Sequence, residues 1–346
     1  MIIDENVLSV YSEGDFASHL YYGSDLIWEE YRNKKSPEEE LADNIKNNGI
    51  GSKYINLGNK TTRDIYYDST TSTFIVSSYD GLFVIDENNM AINKINSNSV
   101  STACGENGYV IAALGRHIYI YKDGELIKEK TYSSSSFKGA VNKIRYLNNM
   151  YIAVENDGGI TISNDRGTTW EKVNSNTNKN LLDVSYGNGT YAVGGYDSSF
   201  LYSKDLVTWK SKWIPHPYSN CYVRSVDYNK ITNEFFITTN EYRNEWQDVA
   251  HAINADTFER RTLNFQDSNS FKRYIDLRTN GYISIATCHY KSGRDYYRTS
   301  ISFDNGKTYN DEIIYGSKLY DTLIAIGKKR VLRLVGGTGR IRYSNI

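Results

Sequence analysis

The sequence predicts an all-β protein made from one repeated unit. Similar segments recur at a spacing of about forty residues, which is the length of a four-stranded propeller blade. Tyr accounts for 31 of the 346 residues whereas Pro accounts for only 3, and short β-branched or aromatic runs alternate with polar turns, as in sheets with many strands. The sequence contains seven such units. We therefore predict a seven-bladed β-propeller, with six or eight blades as the alternatives.

The second strand of each unit is the clearest repeated element. It begins with an aromatic or β-branched residue and continues as a mostly apolar run; the seven copies start at Thr73, Tyr109, Tyr151, Tyr191, Phe235, Tyr282 and Val331. The last unit contains only three predicted strands, the third of them at residues 341–346. Because an unpaired strand edge is unfavourable in a ring, we expect residues 53–57 to supply its fourth strand.

Two shorter regions precede the repeats. Residues 36–50 are predicted to form a helical linker, because Ser36 can cap a helix, Pro37 suits its first turn and Gly49 can end it. Residues 1–35 have the pattern of a small β segment that is too short to bury a core alone. The expected division is 1–35 as an attachment segment, 36–50 as a helical linker and 51–346 as the propeller.

A turn motif recurs in the repeats with the pattern Ser-x-Asp-x-Gly-x-x-aromatic. Residues 163–170 and 302–309 match it fully, whereas residues 203–209 keep the Asp and the aromatic residue but lack the Gly. The carboxylate can accept hydrogen bonds from its own turn, Gly can adopt a positive φ, and the aromatic ring can pack on the sheet. The defining residues are Asp165, Gly167 and Trp170; Asp205 and Trp209; and Asp304, Gly306 and Tyr309.

These segments resemble the Asp-box (BNR) repeats of sialidase-like β-propellers. The resemblance implies a propeller fold and a structural turn in each copy. Sialidases of this kind use an arginine triad, a Tyr nucleophile assisted by a Glu, an Asp acid/base and an Arg-Ile-Pro segment near the first blade. This chain has no Arg-Ile-Pro, since its only prolines are Pro37, Pro215 and Pro217. We therefore transfer no catalytic residue and expect no sialidase activity.

Other catalytic and metal-binding patterns are also missing from the sequence. The His residues are scattered without the spacing of a zinc site, and no Gly-x-Ser-x-Gly motif or phosphate-binding Gly loop occurs. Cys104, Cys221 and Cys288 are isolated, which indicates neither a disulfide scaffold nor a metal site. We expect no cofactor, no metal and no enzymatic activity. A glycoside hydrolase is the alternative, because it needs only two carboxylates placed by the fold.

Charge and hydropathy argue against two kinds of partner. The formal net charge is −1, so we expect no general attraction to nucleic acid or to an anionic membrane. The sequence has no apolar run of membrane-spanning length, and its first residues lack the pattern of a signal peptide. We therefore expect synthesis in a reducing cytoplasm.

The predicted ligand-binding surface lies at one end of the propeller. Loops between second and third strands and connections between blades share that end, and longer examples are predicted near residues 241–248, 290–296 and 211–222. Their aromatic rings can stack on pyranoses, and their charged groups can bond hydroxyls or phosphates. Packing at blade edges is the alternative for Trp213 and Trp246. The candidate residues are Trp213, His216, Tyr218, Tyr242, Arg243, Trp246, Arg294 and Tyr296.

The N-terminal region carries a second resemblance. Residues 22–29, Tyr-Gly-Ser-Asp-Leu-Ile-Trp-Glu, are similar to a short segment of tail and fibre proteins of bacteriophages that infect Gram-positive hosts. The resemblance implies a non-enzymatic virion protein, made in the host cytoplasm, whose residues 1–35 bind other tail proteins. Its propeller would face a cell-wall polysaccharide or teichoic acid, and fibre-like proteins are usually homo-oligomers. The alternative is a cytoplasmic propeller that serves a cell as a scaffold or assembly factor.

Overall fold

A computed structural model describes most of the chain. It covers residues 9–12, 17–22, 25–26, 35–49, 53–58, 61–197, 199–214, 222–243, 245–265, 272–292, 294–314, 323–335 and 338–344. The first three strands, β1 (Ser9–Ser12), β2 (Ala17–Tyr22) and β3 (Asp25–Leu26), pair in that order as a separate antiparallel sheet. Helix α1 (Pro37–Asn48) and strand β4 (Lys53–Asn56) follow.

Seven four-stranded antiparallel sheets make up the rest, which confirms the predicted seven-bladed β-propeller. Blade 1 contains β5 (Thr62–Asp68), β6 (Thr73–Ser78), β7 (Gly81–Asp86) and β8 (Ile92–Asn96). Blade 2 contains β9 (Thr102–Glu106), β10 (Tyr109–Leu114), β11 (His117–Lys122) and β12 (Glu125–Thr131), and blade 3 contains β13 (Val141–Leu147), β14 (Met150–Glu155), β15 (Ile160–Ser163) and β16 (Glu171–Val173). Blade 4 contains β17 (Leu181–Gly187), β18 (Thr190–Gly195), β19 (Ser199–Ser203) and β20 (Lys210–Trp213).

The remaining blades follow the same order. Blade 5 contains β21 (Tyr222–Asn229), β22 (Glu234–Arg243), β23 (Glu245–Asn254) and β24 (Arg260–Thr262), and blade 6 contains β25 (Lys272–Thr279), β26 (Ser284–Ser292), β27 (Arg294–Ser302) and β28 (Asn310–Ile314). Blade 7 contains β29 (Ile324–Ile326), β30 (Val331–Val335), β31 (Arg340–Tyr343) and the early strand β4.

The first strands of the blades surround the axis of the ring. β5, β9, β13, β17, β21, β25 and β29 contact one another in this order, and β29 contacts β5. Five of these strands contain a β-bulge at the same place, and in β5 it falls between Thr62 and Asp64. A bulge re-aims the side chains that follow it. It therefore determines which residues reach the axis.

The ring is closed by strands from distant parts of the chain. β4 pairs with β31 so that Ile55 lies opposite Ile341, and Ile341 is fully buried. Each blade interface is filled by its own apolar cluster. Between blades 3 and 4, for example, Ile152 packs with Leu181 and Trp209. Closure removes the unpaired edge that β31 would otherwise present.

Helix α1 packs on the ring as well as linking it to the N-terminal sheet. Ser36 caps it, because its hydroxyl accepts a hydrogen bond from the Glu39 N–H at 3.2 Å and the Glu39 carboxylate accepts one from the Ser36 N–H at 2.9 Å. Leu41 and Ile45 are 2% exposed and pack against blades 6 and 7, in a cluster that includes Ile283. Among the described residues, no helix has the length and apolar character needed to cross a bilayer.

We predict that Leu41→Ala lowers the free energy of unfolding by about 2–4 kcal/mol, because it leaves a cavity between the helix and the ring. Glu40→Ala on the exposed side of the same turn is the control and should change it by less than about 0.5 kcal/mol. Chemical denaturation followed by circular dichroism measures both. If Leu41→Ala lowers the free energy of unfolding no more than Glu40→Ala does, the helix does not contribute to the stability of the ring.

Candidate binding face and the charged axis

The strand order gives the ring two distinct faces. In every blade, the turns between second and third strands and the connections to the next blade lie at one end of the strands. The turns between first and second strands, and between third and fourth strands, lie at the other end. We call the first end the hairpin face and the second the turn face.

Two long β-hairpins on the neighbouring blades 5 and 6 distinguish the hairpin face. β22 and β23 have 10 residues each and β26 and β27 have 9 each, whereas the second strands of blades 1 to 4 have 6. The prediction of loops near residues 241–248 and 290–296 is therefore wrong. The blade fixes the register, and each further residue pair adds backbone hydrogen bonds, so the strands continue to Arg243 and Ser292.

Five of the eight predicted ligand-binding residues lie in the extended parts of these hairpins. Tyr242 is opposite Trp246 in the register of the first hairpin, and Arg243 immediately follows Tyr242. Arg294 begins β27 and Tyr296 lies two positions further along the same strand. The structure therefore places these five residues on two adjacent hairpins of one face.

The other three predicted residues come from the connection between blades 4 and 5. Trp213 is the last residue of β20 and lies opposite Ser199, so it belongs to a strand and not to the predicted connection. The strand extends this far because β19 still offers a backbone partner. His216 and Tyr218 lie outside the described residues.

The turns predicted from the Ser-x-Asp pattern lie on the turn face, in blades 3, 4 and 6; we call them the Asp turns. In residues 163–170, the Asp165 carboxylate accepts hydrogen bonds from the Ser163 hydroxyl at 2.9 Å, the Thr169 N–H at 2.8 Å and the Thr169 hydroxyl at 2.6 Å. The Gly167 N–H donates to the Ser163 hydroxyl at 2.8 Å. The indole N–H of Trp170 donates to the Gly167 carbonyl at 3.0 Å. Every polar group of the Asp is thus used within the turn.

The other two Asp turns repeat this arrangement with one variation. Asp304 accepts from Ser302 at 2.7 Å and from the Thr308 N–H at 2.8 Å, and the ring of Tyr309, which ends the turn, is fully buried. Gly306 has a φ of 74°. The copy without Gly, at residues 203–209, is one residue shorter. There Leu206 adopts a φ of 61°, and Asp205 accepts from the Thr208 N–H at 2.7 Å while Trp209 donates to the Leu206 carbonyl at 3.1 Å.

The axis of the ring holds a network of buried charges that sequence reasoning missed. Asp64, Asp183 and Asp276 are each 2% exposed or less, and each directly follows the bulge of its first strand. Their shared position after the bulge is visible only in the structure, where a buried acid must find a partner. These carboxylates also join neighbouring blades: Asp183 accepts from the Val226 N–H at 3.1 Å and Asp276 from the Ile324 N–H at 2.9 Å.

One half of the network is centred on Asp64. The Arg145 guanidinium donates from Nη1 to Oδ2 and from Nη2 to Oδ1 of Asp64, each at 2.9 Å, and Lys143 Nζ lies 2.9 Å from Oδ1. Thr102 Oγ1 donates to Asp64 at 2.5 Å and accepts from the Ile144 N–H at 3.1 Å. Burial alone would raise the pKa of Asp64, but the charges of Arg145 and Lys143 hold it well below its usual range. Asp64 therefore stays ionised.

The other half is centred on Arg278. Its Nη2 lies 2.9 Å from Oδ2 of Asp183 and 2.9 Å from Oδ1 of Asp276. Burial opposes ionisation of Asp183, yet Arg278 lowers the pKa of that carboxyl below its ordinary value. Asp227 behaves differently: burial raises its pKa to about 6, although Arg278 and the Thr279 N–H, which donates to it at 2.8 Å, act in the opposite direction.

A small cavity lies on the axis beside this network. Its volume is about 200 Å³, and its polar lining includes Arg145, Ser185, Asp227, Arg278 and Thr279. Within the described part of the chain, no three His, Cys, Asp or Glu side chains are placed to hold a metal ion. Lys143, Arg145 and Arg278 balance the charges of three of the axial carboxylates, Asp64, Asp183 and Asp276.

Comparison with known proteins supports the fold. The β-propeller domain of Cps50 (Swd1) from Myceliophteria thermophila is similar, with a TM-score of 0.61, 13% identity and coverage of 85% of this chain and 99% of that chain. The WD40 β-propeller domain of Doa1 gives a TM-score of 0.63 at 11% identity, with 85% and 96% coverage. The computationally designed Ika8 protein gives 0.54 at 10% identity, with 82% and 83% coverage.

No family model and no curated protein matches the sequence. At these low identities, the likeness to solved structures shows the fold alone. The chain is thus a seven-bladed β-propeller.

We predict opposite effects of removing charge from two carboxylates that share Arg278. The folded pKa of Asp183 is lowered, so its charge stabilises the fold above the unfolded pKa of 3.8 and this stability is lost as the pH falls. Asp183→Asn should therefore cost about 3 kcal/mol at neutral pH. The folded pKa of Asp227 is raised to about 6, so its ionisation removes stability as the pH rises from about 4 to about 6.

Asp227→Asn should therefore raise the free energy of unfolding at neutral pH by about 2 kcal/mol and flatten its pH dependence below about pH 6. Urea denaturation at a series of pH values measures both variants. Destabilisation by both substitutions to a similar extent would contradict the different roles assigned to the two carboxylates.

Proposed function

We propose that the protein is a non-enzymatic propeller scaffold that binds a protein partner across its hairpin face. The observation that carries this proposal is the pair of extended hairpins on blades 5 and 6, which breaks the near-symmetry of the ring at one place. Binding residues are commonly presented by extended segments on a rigid framework. The ring supplies that framework.

The residue types in the hairpins favour a protein partner. Tyr, Trp and Arg are the residues most enriched at the centres of protein interfaces. The extended parts of the two hairpins contain Tyr242, Arg243, Trp246, Arg294 and Tyr296. The likeness to the solved propeller domains is compatible with a scaffold and adds only the fold.

The axis supports the non-enzymatic part of the proposal. Asp64, Asp183 and Asp276 are each engaged by a cation, and Asp183 and Asp276 also accept a hydrogen bond from a backbone N–H of a neighbouring strand. Asp165, in an Asp turn, is likewise engaged within its own turn. Carboxylates held in this way act as structural links. The shared hydrogen bonds also support the proposal that the three Asp turns are Asp-box repeats.

We predict that the double variant Tyr242→Ala/Trp246→Ala loses the partner while the ring stays folded, because both residues lie in a part of the hairpin that extends beyond the blade. Affinity capture from the source organism, followed by cross-linking and mass spectrometry, identifies the partner and maps the contact. Val207→Ser is the matched control, since Val207 is 77% exposed on the turn face. Cross-links confined to the turn face, or equal capture by the double variant, would exclude the hairpin face as the binding surface.

A second candidate function is that of a bacteriophage tail protein whose propeller binds a cell-wall polysaccharide or teichoic acid. Two observations favour it: the similarity of residues 22–29 to tail-protein segments, and the separate sheet of β1, β2 and β3, which shares no strand with the ring. In this proposal residues 1–35 attach a homo-oligomer to other tail proteins in the virion. The scaffold proposal places the protein in a cell instead.

We predict that deletion of residues 1–35 abolishes incorporation into particles and leaves the melting temperature of the propeller unchanged. The deletion must stop before Ser36, because α1 is capped by Ser36 and buries Leu41 and Ile45 against the ring. Immunoblots of purified particles and thermal denaturation are the measurements. If the protein carrying the intact N-terminal region is absent from particles, the tail-protein function is excluded and the scaffold function is favoured.

A further inference from the structure

A pocket of about 410 Å³ opens between blades 2 and 3 on the turn face. Three segments form it: the end of β9 with Glu106, the end of β13 with Tyr146 and the turn that follows it, and the Asp turn at residues 163–170. This volume lies in the range of pockets that bind small molecules. The pocket is on the opposite face from the hairpins, so a ligand bound in it would be independent of a protein partner on the hairpin face.

The hydroxyl of Tyr151 is the unusual group in this pocket. Tyr151 is 1% exposed and lines the pocket, and its hydroxyl has no hydrogen-bond partner among the described residues. Its ring is fixed against Tyr146, with the ring centroids 4.9 Å apart. A buried polar group without a partner is unfavourable by about 1–3 kcal/mol. A bound hydroxyl group would remove this penalty.

The next blade shows why this hydroxyl lacks a partner. Tyr191 occupies the position of Tyr151 in blade 4, and its hydroxyl accepts a hydrogen bond from Asn148 Nδ2 at 2.7 Å. Asn107 occupies the position of Asn148 one blade earlier, and both have a φ of 49°. The Asn107 amide instead donates to Glu106. The two blades thus place Tyr at the same position, but only the Tyr191 hydroxyl receives a hydrogen bond from an Asn side chain, and the Tyr151 hydroxyl does not.

The pocket is lined by charges of both signs. Glu106 is 8% exposed, and burial together with this carboxylate raises the pKa of Tyr146. The Arg166 guanidinium supplies the positive charge and lies 4.5 Å from the centre of the Tyr109 ring. Asp165 also lines the pocket, but its oxygens are used within the Asp turn.

The chemistry of this lining selects a class of ligand. A buried carboxylate disfavours an anion such as phosphate, and a neighbouring guanidinium disfavours an ammonium ion. A neutral ligand with several hydroxyl groups can donate to Glu106, accept from Tyr151 and Arg166, and bond the side-chain amides of Asn149 and Asn164, which also line the pocket. We propose that this pocket binds a neutral saccharide unit and that Glu106 and Tyr151 make its central hydrogen bonds.

The test uses the full chain and three neutral sugars: glucose, galactose and N-acetylglucosamine. Ligand-observed saturation-transfer NMR and calorimetry are expected to detect binding of at least one of them to the wild type. Tyr151→Phe should weaken that binding about tenfold because it removes one hydrogen bond to the ligand, and Glu106→Gln should do so because it replaces a charged acceptor with a neutral one. Tyr191→Phe is the matched control and should bind as the wild type does.

Thermal denaturation separates a binding role from a structural one. Tyr151→Phe should raise the melting temperature, because it removes a buried hydroxyl without a partner, whereas Tyr191→Phe should lower it by removing the bond from Asn148. The proposal is overturned if none of the three sugars binds, if inorganic phosphate binds in their place, or if Tyr151→Phe binds as tightly as the wild type. An equal loss of stability in both Phe variants would assign the Tyr151 hydroxyl to an internal water and also overturn it. The Tyr242→Ala/Trp246→Ala variant should keep sugar binding, which separates this site from the hairpin face.

Discussion

The fold depends on ion pairs that cross the axis of the ring. Asp64 of blade 1 pairs with Arg145 of blade 3, and Asp183 of blade 4 pairs with Arg278 of blade 6, so each pair spans the blade between its partners. Such pairs can form only where the first strands converge. A buried charge without its partner is strongly unfavourable. These residues therefore favour a complete ring over a partly assembled one.

Two of the axial carboxylates also link neighbouring blades. Asp183 of blade 4 accepts a hydrogen bond from the Val226 N–H of blade 5, and Asp276 of blade 6 accepts one from the Ile324 N–H of blade 7. Backbone groups cannot be removed by substitution, so these links need only the acid. A rigid inner ring of this kind can carry long hairpins at one face without losing its shape.

Much of the architecture could be predicted from the sequence because its signals are local. The blade repeat and the turn pattern at residues 163–170 depend on neighbouring residues, and the count of seven blades follows from them. The axial network could not be predicted, because Arg145 lies 81 residues from Asp64 along the chain. Its acids also look like surface residues until the fold surrounds them.

The candidate sites show the same division between local and distant signals. The sequence predicts a loop at Tyr242 and Trp246, because a two-stranded hairpin outside the core has no alternation of apolar and polar residues that would identify its strands. Its strands are paired only because the blade below fixes their register. The Tyr151 hydroxyl has no partner because the Asn107 amide donates to Glu106 instead. A sequence pattern does not show which of the two acceptors the amide bonds.

The pairing of β4 with β31 has a consequence for how the protein is made. The ribosome releases residues 53–56 long before residues 340–343 emerge, so the seventh sheet cannot be completed until the last blade has left the ribosome. Until then β4 has no partner strand, and contacts of such wide sequence separation form slowly. Ring closure should thus be a late step of folding, and chaperones that shield bare strand edges would act before it.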